Sequence, residues 1–196
     1  FWSGLLGSIY GLLQFAVSPL LGRLSDRYGR RPVLLVSLAC LGVDWLAHAI
    51  SPSPWTLLVF HALAGACAGT KTVVNAYIAD VSSPDKRAQS FGMVGAAFGL
   101  GFILGPALGG FVGEAGPRAP FFVASGLACL NFFYGLFVLP ESLPRERRRP
   151  FSIARANPLG TLRALRGTAT VMSLATAAFF WQLAFHVYPA TWSFYA

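Results

Sequence analysis

The chain has 196 residues, 55% of them hydrophobic and only 11% charged, with a formal net charge of +8. Soluble domains carry about 25% charged residues, so this composition excludes an ordinary water-soluble globule. The basic residues sit in loops between apolar runs, without aromatic interleaving on a polar surface. That argues for lipid headgroups and against nucleic acid as the phosphate partner.

Six candidate spans follow in order, each close to the ~20 apolar residues that carry a helix across a bilayer. The first, residues 1–21, has Gly4, Ser8 and Gly11 at helical spacing, a small-residue stripe suited to helix packing. It lacks a basic n-region and a cleavage site, so it does not read as a signal peptide. It runs into Gly22-Arg-Leu-Ser-Asp26-Arg-Tyr-Gly-Arg30-Arg31-Pro32, which reads as a short charged turn at a membrane face, with Gly29 letting the chain reverse. The second span, residues 32–50, starts with proline at its first helical position, where a missing N–H costs nothing. A turn at 51–54 precedes the third span, residues 55–81. The fourth, residues 91–113, places Gly95 and Gly99, and Gly101, Gly105 and Gly109, four apart, as helices in close backbone contact require. Pro106 within it frees a carbonyl and favours a kink. The fifth span covers residues 121–139, a polar segment covers 140–166, and a sixth apolar run covers 168–196. Cys40, Cys67 and Cys129 each lie inside an apolar run, with neither metal-ligand spacing nor a disulfide framework, and read as small buried hydrophobes.

Loop charge sets the orientation. All of the 15 Lys and Arg residues except Lys71 and Arg118 fall in the loops after the first, third and fifth spans. By the positive-inside rule that face is cytoplasmic. The first residue is then outside, and the chain reads as a fragment that a preceding span would complete.

Charges inside spans are the sharpest functional clues, because each costs roughly 2.5–3.5 kcal/mol on insertion scales. Asp44 lies roughly 18 Å along the second span and Lys71 roughly 13 Å from the cytoplasmic end of the third. Two readings stay open for them: a direct Asp44–Lys71 pair, or a Lys71 that faces a cavity and meets substrate or protons. Asn75 shares a face with Lys71 and reads as a cavity-lining polar group. His61 titrates near neutrality and can carry protons. His48, one turn after Asp44, reads as interfacial. Asp26 and Arg30 are four apart and meet on one face if the helix continues. Asp80, at the end of the third span, offers Arg30 a second carboxylate. In the sixth run Gln182 and His186 are also four apart. No Gly-x-Ser-x-Gly, phosphate loop or paired-histidine metal motif is present, so neither an enzyme nor a metal site is expected. A channel would need a ring or filter, and no repeat signals one.

The loop from Gly22 to Pro32 resembles the cytoplasmic signature after the second helix of the major facilitator superfamily. Gly101-Phe-Ile-Leu-Gly105-Pro106-Ala-Leu-Gly109-Gly110 resembles the antiporter signature of its fifth helix. Together the chain is similar to the tetracycline-efflux branch of the bacterial drug:proton antiporters, from second to seventh helix. That resemblance implies an all-α integral membrane bundle of twelve helices. Residues 1–139 would form most of its N-terminal half, 140–166 a cytoplasmic linker, and 168–196 the first helix of the C-terminal half. It implies a monomeric, multi-pass protein of the bacterial inner membrane that exports small amphipathic drugs by alternating access, using protons and no cofactor. It gives Gly22, Asp26, Gly29, Arg30, Arg31 and Asp80 the role of a conformational clamp. Gly101, Gly105, Pro106, Gly109 and Gly110 become the antiporter motif. Asp44, His61, Lys71, Asn75, Gln182 and His186 become the proton or substrate path. An aspartate at the place of Asp44 belongs to that branch, whereas Lys71 does not, and His61 falls where relatives place an arginine. A metabolite or nutrient transporter of the same superfamily, and a non-transporting membrane scaffold, are the competing readings.

Overall fold

The computed structural model describes residues 2–151 and 169–192. Seven α-helices lie among them: α1 Trp2–Tyr28, α2 Arg30–Ile50, α3 Pro54–Cys67, α4 Thr70–Val81, α5 Arg87–Gly113, α6 Ala119–Phe137 and α7 Ala169–Trp192. Single 3₁₀ turns occur at Pro84–Lys86 and Arg145–Arg147. No strand occurs among the described residues. Among the described residues five stretches are long and apolar enough to cross a membrane: Gly4–Tyr28, Arg30–Ile50, Pro54–Val81, Pro84–Gly113 and Ala119–Phe137. The chain divides into two compact units, Phe1–Ile153 and Ala154–Ala196. The second contributes α7, whose Ser173 and Thr176 hydroxyls donate back to the carbonyls of Thr170 and Met172 in the preceding turn. Most of the 140–166 linker lies outside the described residues.

Within the first unit α2 is the central helix. Its buried positions, among them Leu34, Leu38, Gly42, Asp44 and Ala47, are distributed around its circumference because α1, α3, α4 and α6 all pack on it. Gly42 faces Ala128 and Cys129 of α6, and the buried Ser125 hydroxyl donates to the Gly42 carbonyl at 2.9 Å. Such interhelical hydrogen bonds replace water where the surroundings are hydrocarbon. The outside is apolar as well as the inside: Phe111 and Phe137 are 76% and 79% exposed, as lipid-facing side chains are. Cys129 is exposed as well, and Cys40 and Cys67 are half-buried, so the cysteines are not the buried set expected.

Three local expectations change. The charged signature is mostly helix, not loop: α1 continues to Tyr28, α2 begins at Arg30, and the reversal is made by Gly29 alone at φ +110°. Pro32 accordingly sits in the first turn of α2, where N–H groups have no intrahelical partner to lose. The third span is broken. The Ala68 N–H bonds back to Gly65 and the Gly69 N–H to Cys67, and the helix restarts only where the Val73 N–H bonds to Gly69. Finally, the close helix contact is not made by the stripe on α1, since a Cβ at Gly4, Gly7 or Gly11 would meet nothing within 4 Å. It is made by Gly65 of α3, where a Cβ would lie 2.8 Å from the Tyr10 carbonyl oxygen of α1. Between Ala64 and Gly69 the side chains are Ala, Cys or hydrogen, which lets α1 settle onto α3.

Candidate functional site

At one end of the bundle the termini of α1, α2, α4 and α6 are tied into a charged corner. Arg30, whose side chain is 10% exposed, reaches Asp26 at 2.6 Å and Asp80 at 3.0 Å. Its guanidinium also donates to the buried Ser25 hydroxyl at 2.7 Å, and that hydroxyl donates to the Gly22 carbonyl. Asp26 and Arg30 thus meet across the Gly29 reversal, not along one continuous helix. Arg31 turns the other way and donates to the Gly135 and Leu136 carbonyls in the last turn of α6. A cation there meets the negative pole of the helix.

Sequence reasoning missed the group that completes the corner. Glu141 accepts the Arg30 N–H at 2.8 Å, the Arg31 N–H at 3.3 Å and the Leu143 N–H at 3.0 Å. It is an acidic cap on the first turn of α2, supplied from beyond the end of α6. Its carboxylate occupies the space beside Gly29, where an added Cβ would come within 2.2 Å of Oε2. Gly29 is therefore required twice, by its positive φ and by this contact. Ser142 adds a bond to Asp80 at 3.4 Å, Tyr77 donates to the Pro140 carbonyl at 3.1 Å, and the Arg149 N–H bonds the Asp26 carbonyl. The start of the linker is thereby fastened to the signature. The only hint in the sequence was the break at Pro140-Glu141-Ser142.

A cavity of about 700 Å³ opens among α1, α2, α3, α4 and α5, lined by Tyr10, Gln14, Ser37, Lys71, Asn75 and Phe98 among others. Among the described residues Lys71 is its only charged lining residue, and the start of α4, the positive end of that helix dipole, lies on the same wall. The break at Ala68–Gly69 is what puts Thr70 and Lys71 on its wall. Discontinuous helices serve binding sites in many transporters for this reason.

Asp44 does not pair with Lys71. Among the described residues Lys71 has no carboxylate within ion-pair distance, and Asp44, 2% exposed, is served by two histidines. His61 Nδ1 lies 2.9 Å from Asp44 Oδ2. With Asp44 ionised, its oxygen can only accept, and the Nδ1–H of His61 is then the donor. His48 Nδ1 lies 2.9 Å from the Asp44 backbone carbonyl and 3.4 Å from Oδ1. Its proton goes to the closer carbonyl, and Asp44 Oδ1 is left buried without a hydrogen bond. The Tyr10 ring stacks on His61 at 4.9 Å and links this cluster to the cavity wall. Although no metal-ligand motif is present in the sequence, Asp44, His48 and His61 each present a potential ligand atom, all within 4.8 Å of one another. No local spacing announces it, because His61 comes from a different helix. His48 is a member of this cluster rather than a merely interfacial residue.

The glycine signature behaves differently from expectation within the described residues. A Cβ at Gly95, Gly99, Gly101, Gly105, Gly109 or Gly110 would meet nothing within 4 Å, and α5 buries none of its residues. The helix runs unbroken through Pro106. Gln182 lies on α7 together with the backbone of His186, whose side chain is outside the described residues.

The sequence pattern of the Major Facilitator Superfamily matches residues 3–195. The chain is 41% identical over 189 residues to the tetracycline resistance protein, class C, of Escherichia coli, covering 96% of this chain and 48% of that protein. It is 43% identical over 139 residues to the class B protein of Escherichia coli, covering 71% and 35%. Among solved structures it is similar to the human organic anion transporter MFSD10 (TETRAN), with a TM-score of 0.67 and 38% identity over 76% of this chain and 34% of that one. The chain thus spans half or less of the length of these relatives.

Proposed function

The chain belongs to the Major Facilitator Superfamily, a family of transporters, and from that premise we propose that it forms most of the N-terminal half of a proton-coupled drug exporter in a bacterial inner membrane. The observation that carries this reading is the partly buried Asp44–His61 hydrogen bond beside the cavity. A carboxylate and an imidazole sharing a proton inside a span are a site that can load and release that proton. His61 then takes at this position the place that an arginine has in relatives. Lys71, Asn75 and Gln14 line the space where substrate would sit, and the Asp26–Arg30–Asp80 corner holds the cytoplasmic ends of α1, α2 and α4 together in one state of the cycle. The open glycine face of α5 supplies the surface against which another helix can move.

The test is drug-driven proton movement in vesicles holding the intact protein. Asp44→Asn is expected to abolish net proton coupling while substrate exchange persists. Unchanged proton flux in that variant would refute the assignment. A second reading has its own observation. Among the described residues Lys71 is the one charge on the cavity wall, and one structural relative is described as an organic anion transporter, which supports anionic metabolites as the substrate class instead of tetracycline-like drugs. Lys71→Met separates the two: loss of anion uptake with drug export intact supports the second reading.

A further inference from the structure

We infer that Asp44, His48 and His61 form a binding site for a divalent transition cation of the zinc type. The inference is independent of the proton-coupling proposal, because it rests on the arrangement of the donor atoms and is read by metal binding. Three donors, one carboxylate oxygen and two imidazole nitrogens, lie within 4.8 Å of one another. A tetrahedral zinc ion with bonds of about 2.0–2.1 Å holds its ligand atoms about 3.3–3.5 Å apart. Asp44 Oδ2 and His61 Nδ1 stand at 2.9 Å, and Asp44 Oδ1 and His48 Nδ1 at 3.4 Å, so each imidazole already lies against the carboxylate that would share the cation.

The orphaned Asp44 Oδ1 points the same way. A buried carboxylate oxygen with no donor is costly, and a cation would satisfy it. Two imidazoles and one carboxylate suit zinc, cobalt or nickel and not magnesium, which prefers an all-oxygen octahedron. The donor set leaves a fourth position for water or another ligand. The rings of Tyr10, Trp45 and Phe121 pack against the two histidines at 4.9–5.8 Å, which shields the site and raises the gain from binding charge there. Access exists: the side chains of His48 and His61 are 13% and 20% exposed, and His48 lies in the last turn of α2, toward the face opposite the basic loops. The cation and the Asp44–His61 hydrogen bond are alternatives. Binding through His61 Nδ1 requires its proton to shift to Nε2 or leave.

The experiment uses the intact protein in detergent, titrated with Zn²⁺ against a chromogenic chelator, with Co²⁺ as a spectroscopic reporter and Mg²⁺ as the control. One Zn²⁺ per chain is expected, with a tetrahedral Co²⁺ visible band and no competition from Mg²⁺. His48→Gln and His61→Gln should each weaken Zn²⁺ by about a hundredfold, since losing a ligand exceeds the 10–100-fold loss of an outer-shell partner. His48 is the more telling position, because it stands outside the proposed proton path. Should either variant misfold, footprinting of the unmutated protein decides: Zn²⁺ should protect both His48 and His61 from acylation by diethyl pyrocarbonate. Absence of stoichiometric Zn²⁺ binding, equal affinity in folded variants, or unprotected histidines would each overturn the site, whatever the transport assays show.

Discussion

Glu141 offers the most direct test of the charged corner. Its carboxylate accepts three backbone N–H groups, two of them from the first turn of α2. In Glu141→Gln one oxygen remains to accept, the other becomes an amide that faces donors, and the negative charge at the helix N-terminus is lost. The charge–dipole part is worth about 0.3–1 kcal/mol at such a position. One lost bond from a charged acceptor adds about 1.5 kcal/mol, the lower end of the range for such bonds. The sum is about 2 kcal/mol. The assay is thermal unfolding of the intact protein in detergent, where a loss of this size lowers the apparent Tm by several degrees. Glu146→Gln, at an exposed site in the 3₁₀ turn Arg145–Arg147, is the control, expected to stay within about 0.5 kcal/mol of the parent. If Glu141→Gln melts together with Glu146→Gln, the carboxylate is not holding the start of α2 and the account of the corner fails.

Three other outcomes follow from particular contacts. Gly65→Ala should cost about 1–3 kcal/mol, because its methyl would meet the Tyr10 backbone, which cannot rotate away, whereas Gly11→Ala should be neutral or slightly stabilising; equal melting temperatures would show that α1 and α3 do not approach this closely. In a four-variant stability cycle, Asp44→Asn and Lys71→Met should be additive within about 0.5 kcal/mol, and a coupling well above 1 kcal/mol would restore a direct pair. Gly105→Leu should leave folding intact, since nothing lies within 4 Å of the added Cβ, yet stop transport in the intact protein; unchanged export would reduce the glycine run to a lipid-facing surface.

The sequence alone determined what depends on local sums. Span length, hydropathy and loop charge can be added up along the chain, and a bilayer punishes any unsatisfied backbone group, so the helices were legible without coordinates. The Asp26, Arg30 and Asp80 contacts were also foreseeable, since these residues stand at helix ends on one face of the membrane. Tertiary structure decided the rest. Asp44 finds His61 at a separation of 17 residues, and Arg30 finds Glu141 at a separation of 111. Both partnerships depend on how each helix is rotated about its axis, and rotation is set by contacts such as Gly65 on Tyr10 and Gly42 on Ala128. Hydropathy carries almost no information on that angle when a helix is apolar all round, as α5 is. The break at Ala68–Gly69 was equally hidden, because a run of small residues is compatible with continuous helix. Only the close packing of α1 against it, together with the cavity it opens beside Lys71, shows why the helix stops there.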